Sequence, residues 1–297
     1  MTHIVVVGSI NMDLVTLSPR FVGPGETILG EGFLTTHGGK GANQAVAAAR
    51  LGAEVTLIGA LGDDAFGQQL HDGLASEGIA LEHVQRVANC ASGTASITVA
   101  EGENQIIIVP AANWHVSPAQ LAQAEAKIAS ADALLVQMEI PLETVEATLR
   151  LGHRLGVPVI LNPAPAQPLQ LEWLKLARYV TPNQHELAIL LGADSQQDFR
   201  ELMRRAPCPV VLTRGAEGAW FGDNSEPTHQ PSFKVEVVDS TGAGDTFNAA
   251  LAVFLHEGLP SAVRKACAAA ALSVTKLGAR GGMPYRRDVE ALLARTA

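Results

Sequence analysis

His3-Ile4-Val5-Val6-Val7, followed at once by Gly8-Ser9-Ile10-Asn11-Met12-Asp13, is the stretch from which the rest of the chain is read. Four apolar residues in a row, without polar alternation, fit a strand buried on both faces, and such strands belong to parallel sheets covered by helices. The residues that follow are mostly small or hydrogen-bonding, and open α/β sheets bind their ligands beyond the carboxyl ends of the strands. The same pairing recurs. Short Val/Ile/Leu runs stand at 55–58, 133–136, 158–161 and 209–212, and segments of helical pattern separate them at 42–51, 65–76, 118–130, 142–155 and 186–191. The last third adds helical segments at 243–256, 262–275 and 287–295. This alternation predicts a doubly wound, mostly parallel α/β sheet layered between helices.

The later strands also run into polar clusters: Gln137-Met138-Glu139, Asn162-Pro163-Ala164-Pro165, Thr181-Pro182-Asn183 and Thr213-Arg214-Gly215-Ala216-Glu217-Gly218. A purely structural sheet needs only turn residues there, so repeated Asn, Glu and Thr point to a site lined from several strands. Two stretches, 13–37 and 84–113, break the alternation. Within the second, 94–100 and 105–109 flank a turn at 101–104 and read as a hairpin. These insertions are either ordinary surface loops or a small β flap over the site. The rest, 1–12, 38–83 and 114–297, reads as one core.

The chain has 297 residues, 47% of them hydrophobic but only 4% aromatic, so its core is built mainly from aliphatic side chains and alanine. Lys plus Arg number 21 against 30 Asp plus Glu, a net charge of −9. That balance argues against nucleic-acid backbones and anionic membranes as partners, while a ring of backbone amides still binds a phosphate locally. No apolar run approaches the roughly 20 residues of a membrane span, and no basic stretch precedes the first apolar run as in a signal peptide. Cys90, Cys208 and Cys267 are widely spaced and odd in number, which fits a reducing cytoplasm better than a disulfide framework or a zinc site.

Two Gly-rich clusters carry the chemistry. His37-Gly38-Gly39-Lys40-Gly41-Ala42-Asn43-Gln44 and Asp239-Ser240-Thr241-Gly242-Ala243-Gly244-Asp245 each open a helical segment. Neither matches the P-loop or the G-x-G-x-x-G dinucleotide pattern. In the second, the amides of Gly242, Ala243 and Gly244 at a helix N-terminus suit an anion, and Asp245 is placed to take a proton from an attacking hydroxyl. Read alone, Asp245 is equally a helix cap and the glycines a turn. The helix N-terminus is expected to keep Asp245 ionised and only modestly basic. Lys40 and Asn43 either reach into a cleft or mark a solvated helix entry, and Asn11 and Asp13 either hold a polyhydroxylated ligand or form a turn.

Together these segments resemble the ribokinase family of carbohydrate kinases, also called the phosphofructokinase-B type. The resemblance runs from the first strand to about Pro284 and includes Pro24-Gly25-Glu26-Thr27 besides the clusters quoted above. It implies a ribokinase-like three-layer α/β/α fold with a β-sheet lid. It also implies ATP-dependent phosphorylation of D-ribose at the 5-hydroxyl, with Mg²⁺ accompanying ATP, K⁺ as activator, and a homodimer clasped through the lid. A related kinase of another sugar or of a nucleoside is the alternative, which Ala95, Ile97 and Ile108 do not decide; a sugar-sensing protein without catalysis is a third reading. Carried over position by position, the sugar falls to Asn11, Met12, Asp13, Gly39, Lys40, Gly41, Ala42, Asn43 and Glu139. Asp245 becomes the base, and Gly242, Ala243 and Gly244 the anion hole. The nucleotide falls to Asn183, Thr213, Arg214, Gly215, Ala216, Glu217, Gly218, Gly244 and Cys267. Glu186 would order Mg²⁺ through water, and Asp239, Thr241, Ser273, Lys276, Gly278 and Gly282 would surround K⁺. Two positions depart from the family pattern: Gly282 lacks a serine side chain that is frequent there, and Cys267 replaces a polar residue, so a small core residue is its other reading.

Overall fold

The first strand, His3–Val7, pairs in parallel with Glu54–Gly62 on one side and Ala133–Gln137 on the other. The computed structural model, which describes residues 1–222 and 226–296, extends this trio into a nine-stranded sheet. Ala80–Val87 closes one edge beside Glu54–Gly62. Beyond Ala133–Gln137, the strands Val159–Asn162, Tyr179–Val180 and Val210–Thr213 continue in parallel. Ala219–Gly222 and Thr228–Gln230 end the sheet antiparallel, because the short connection after Thr213 leaves no room for the crossover that a parallel partner needs. The expected strands are all present, each within a residue or two except that at 55–58, which runs on to Gly62.

Alternate residues of the first strand feed opposite cores. Ile4 and Val6 join Val46, Leu251 and Val263 under three Ala-rich helices, Lys40–Arg50, Ala243–Phe254 and Leu259–Ser273. Val5 and Val7 join Leu121, Val145 and Leu149 on the other face, beneath Leu142–Leu155. Small residues let those helices lie close. A Cβ on Gly41 would stand 2.5 Å from the Gly8 carbonyl carbon, so the helix begins with its backbone against the end of the first strand. The single helix expected at 118–130 is two, Pro118–Gln123 and Glu125–Ala129. Hydrogen bonds from Ala124 to Gln120 and from Ile128 to Ala124 carry on through the junction, so the axis distorts without stopping.

The two insertions meet in a second sheet of four strands. Asn11–Leu17 pairs antiparallel with Gly32–Gly38 and parallel with Gly93–Ala100, which pairs antiparallel with Glu103–Val109. The expected hairpin is present, with a tighter turn: Glu101 and Gly102 both take positive φ, 56° and 80°, as a two-residue hairpin turn requires. The expected boundary at residue 84 falls inside Ala80–Val87, which belongs to the large sheet. Among the described residues, no helix is long and apolar enough to cross a membrane.

Candidate active site

Strand order reverses between His3–Val7 and Ala133–Gln137, since the chain first builds outward on one side and then on the other. A crevice opens beyond the carboxyl ends at such a switch point. There a cavity is lined by Lys40, Asn162, Asn183, Glu186, Thr213, Gly242, Gly244 and Asp245, with Thr181 and Asn248 beside them. The sequence thus places the starts of two helices, Lys40–Arg50 and Ala243–Phe254, against the ends of three strands, Val159–Asn162, Tyr179–Val180 and Val210–Thr213.

Asp245 sits in the first turn of its helix and is 8% exposed. Each carboxylate oxygen accepts one amide: Asn43 Nδ2 donates to Oδ2 and Gln44 Nε2 to Oδ1, both at 3.1 Å. Gln44 Nε2 also reaches Asn162 Oδ1 at 3.1 Å, and Gln137 Nε2 donates to Gln44 Oε1 at 2.6 Å, which fixes the orientation of the Gln44 amide. Burial pushes the Asp245 carboxyl above the usual carboxylate range, against the opposing pull of Lys40 and of the two amides. The expectation of modest basicity is therefore corrected: desolvation outweighs the helix N-terminus. The neighbouring amides divide. Gly242 and Gly244 line the cavity, whereas Ala243 N donates to the Ser240 carbonyl at 3.2 Å. Asn248 steadies this turn by donating to Gly244 O at 2.9 Å and accepting from Thr181 Oγ1 at 2.5 Å.

Next to Asp245, acidic groups gather. Glu139 Oε2 accepts from Ser9 Oγ at 2.5 Å, from Lys40 N at 3.3 Å and from Asn11 Nδ2 at 3.5 Å. Asn113 Nδ2 donates to Asn11 Oδ1 at 2.7 Å, tying the second insertion to the first strand's end. Burial and then Glu139 push Asp13 up to about 7, although Arg280 and Lys40 pull the other way. Burial would lower Lys40, but Asp245 and Glu139 more than offset it and its pKa lies above the usual value, so it stays cationic. Two expected sugar contacts are elsewhere: Met12 and Ala42 lie in the hydrophobic core, 1% and 0% exposed. Gly41 N turns inward to Ser9 Oγ at 3.4 Å.

On the opposite wall, Asn183 and Glu186 form a reciprocal cap, each side chain accepting the other's backbone N–H at 2.8 Å. Asn183 bridges to Thr213 across the sheet. Arg214 lies over the Phe199 ring, 4.6 Å from its centroid, and pairs with Glu217 at 3.2 Å. Gly215, Ala216 and Glu217 are exposed at the rim, and Gly218 is buried. Cys267 is not at the cavity. It is 4% exposed in the helical core, and burial pushes its thiol up to about 12.

A profile described as pfkB family carbohydrate kinase matches residues 1–286. The chain belongs to the pfkB family of carbohydrate kinases. It is 46% identical over 296 residues to the ribokinase of Bacillus subtilis, covering 99% of this chain and 100% of that one. Among solved structures it resembles the ribokinase of Thermotoga maritima, with a TM-score of 0.90, 36% identity and coverage of 99% and 100%. It equally resembles Arabidopsis thaliana ribokinase complexed with ribose and ATP, with a TM-score of 0.90, 33% identity and 99% of both chains covered.

In the segment expected to hold a cation, the parts meet through hydrogen bonds. Asp239 Oδ1 accepts from Thr241 N at 2.9 Å and Thr241 Oγ1 at 2.7 Å, while Oδ2 accepts from Gly278 N at 2.8 Å. One carboxylate thus joins the loop before the anion hole to the loop after Leu259–Ser273. Although burial raises Asp239, these hydrogen bonds leave it below the usual carboxylate range and ionised. An ionised carboxylate is an oxygen ligand of the kind that hard cations take. Lys276 is exposed beside it. Gly282 is read differently now: a Cβ there would lie 1.8 Å from the Ser273 carbonyl oxygen, so this backbone has no room for a side-chain ligand. For a divalent ion, no cluster of three or more His, Cys, Asp or Glu exists among the described residues. Glu186 lines the cavity, and burial raises its pKa. Mg²⁺ needs only one or two carboxylates where phosphates and waters complete its shell, and Glu186 fits that part.

Sequence reasoning missed Asn113, Asn248 and Arg280, and it quoted Ser9 and Gln137 within strand-end clusters without giving either a role. Gln44 was quoted within its cluster, but its bond to Asp245 spans 201 residues and has no local signature.

Proposed function

We propose that this chain transfers the terminal phosphoryl group of ATP to the 5-hydroxyl of D-ribose. The observation that carries this reading is Asp245: buried, raised in basicity, pinned by two amides, and three residues from a glycine whose helix start opens on the same cavity. A carboxylate so held takes the hydroxyl proton as the bond to phosphorus forms. The cavity-facing starts at Gly242 and Gly244 offer amides to the charge that gathers on the transferred group, and Lys40 adds a cation beside it. Asp13, Glu139, Asn11 and Asn43 supply acceptors and donors for the remaining sugar hydroxyls, with Gly39 allowing the sugar to approach the backbone. Asn183 and Thr213 form the nucleotide wall, with 214–218 as its rim.

Mg²⁺ bound with ATP neutralises phosphate charge, and Glu186 would hold its waters. K⁺ would be held by Asp239 and by carbonyls of Thr241, Ser273, Lys276 and Gly278, and its effect would be to stiffen the turn that carries Gly242. The second sheet acts as a lid. The face that carries Asp13 also carries Val15, Leu34, Ile97, Ile106 and Ile108, and Leu34, Ile106 and Ile108 are 39%, 51% and 37% exposed. A contiguous apolar face of this kind suits a second copy of the chain, as a homodimer. Three free cysteines fit a cytoplasmic setting.

An ADP-release assay over pentoses, 2-deoxyribose, hexoses and nucleosides tests the substrate. Ribose should give the highest kcat/KM; preference for a nucleoside would replace this reading with the alternative one.

A further inference from the structure

Arg280 has no part in the roles assigned above, yet it reaches the centre of the site. Its guanidinium is largely withdrawn from water, and that burial pulls its pKa down to about 10, so it remains charged at neutral pH. A fold seeking only stability gains little from burying such a group. Its two hydrogen bonds go to neutral oxygens: Nε reaches Asn43 Oδ1 at 3.3 Å, and Nη2 reaches the Gly38 carbonyl at 3.5 Å. Its own backbone is fixed in turn, because Arg50 Nη1 donates to the Arg280 carbonyl at 2.7 Å and Arg50 pairs with Glu77 at 2.6 Å.

These contacts decide which way Asn43 faces. An amide is nearly symmetric in shape, and only its partners distinguish oxygen from nitrogen. With Oδ1 held by Arg280, Nδ2 points to Asp245 Oδ2 at 3.1 Å. Turned over, Asn43 would set its oxygen against a carboxylate and its N–H₂ against a guanidinium, two repulsions in place of two bonds. The Gly38 contact reaches the sugar side as well: a Cβ on Gly38 would lie 2.2 Å from Asp13 Oδ2, so the peptide that Arg280 grips is the one Asp13 rests on.

We propose that Arg280 is a positioning residue for phosphoryl transfer, orienting Asn43 so that its amide holds Asp245 in line with the sugar hydroxyl. This rests on the reading of Asp245 as the base.

The test is a double-mutant cycle between Arg280 and Asn43, followed by steady-state kinetics and thermal unfolding. Arg280→Met should lower kcat about tenfold and leave the KM for ATP within about twofold, because the interaction acts on the reacting geometry and not on nucleotide binding. Arg280→Lys, which keeps the charge and one donor, should recover to within about threefold of the original kcat. In an Asn43→Ala background, Arg280→Met should cost less than about twofold, since residues that act through one another are not additive. If Arg280→Met does not fold, Arg280→Gln carries the same cycle. Equal losses in both backgrounds, or an unchanged kcat in a folded Arg280→Met, would overturn the proposal. Asp245→Asn separates the two readings: turnover retained there removes the base, whereas its loss together with an additive cycle removes only the relay.

Discussion

The two walls of the cavity are built on different principles. Around Asp245, the polar groups are buried and bonded across long stretches of chain: Asn43 and Gln44 meet it from about 200 residues away, and Asn162 and Gln137 brace Gln44. The nucleotide wall is closed by local bonds. Asn183 and Glu186 cap one another three residues apart, Arg214 pairs with Glu217 over the same spacing, and 215–217 are exposed. Asp245 is therefore fixed by contacts from across the fold, while residues 215–217 keep exposed surface. Preorganised groups contribute to the rate and exposed ones to binding.

This contrast is broken first at Asp245. Asp245→Asn should fold and lose about 10²- to 10⁴-fold in kcat, the range of a general base, with KM for ATP little changed; stopped-flow ADP release measures it. A wild-type kcat would make Asp245 a helix cap only.

The next effect is on the sugar. Asp13→Asn should raise the KM for ribose by about tenfold or more, one lost charge-assisted hydrogen bond being about 1.5–3 kcal/mol. It should also stabilise the free protein, in a pH-dependent way. With Asp13 at about 7 against 3.8 for the free side chain, the native state holds a proton that the unfolded chain has released. The contribution of Asp13 to stability is thus full below 3.8 and lost as pH rises through about 7. Asp13→Asn should accordingly raise Tm at pH 8 and leave it nearly unchanged at pH 3.5. In the unmutated enzyme, kcat/KM for ribose should climb through pH 7 as the acceptor ionises.

A smaller effect is expected at the loop around Asp239, which we propose holds K⁺. At constant ionic strength, K⁺ should raise kcat severalfold over a bulky organic cation, and Asp239→Ala should abolish the difference. Equal rates in both salts would detach this loop from catalysis. Cys267→Ser should have the least effect on kinetics. It puts a hydroxyl into an apolar helix packing and should cost about 1–3 kcal/mol of stability with the KM for ATP unchanged, as calorimetric unfolding and kinetics together would show.

How much of this was legible beforehand follows the same division. Strands such as His3–Val7 and helices such as Leu142–Leu155 announce themselves through local periodicity, and the polar clusters that follow the strands ending at Asn162, Val180 and Thr213 reach the cavity, as the strand ends predict. The lid boundary was misplaced because Ala80–Val87 alternates like an insertion strand, although Glu54–Gly62 recruits it into the large sheet. Met12 and Ala42 lie inside motifs but point into the core, since alternate residues of a strand and the inner face of a helix are committed to packing. Arg280 was invisible, and Gln137 stood in a quoted cluster without a readable role, because their partners, Asn43 and Gln44, lie 237 and 93 residues away.

The central claim is a transfer to the primary hydroxyl of ribose, and the product's phosphorus reports it directly. Proton-coupled ³¹P spectra of the reaction of this enzyme with ATP, Mg²⁺ and ribose should show a new monoester split into a triplet by the two protons of the C5 methylene. A doublet, which one proton on a secondary or anomeric carbon would give, or the absence of any new monoester, would contradict the account.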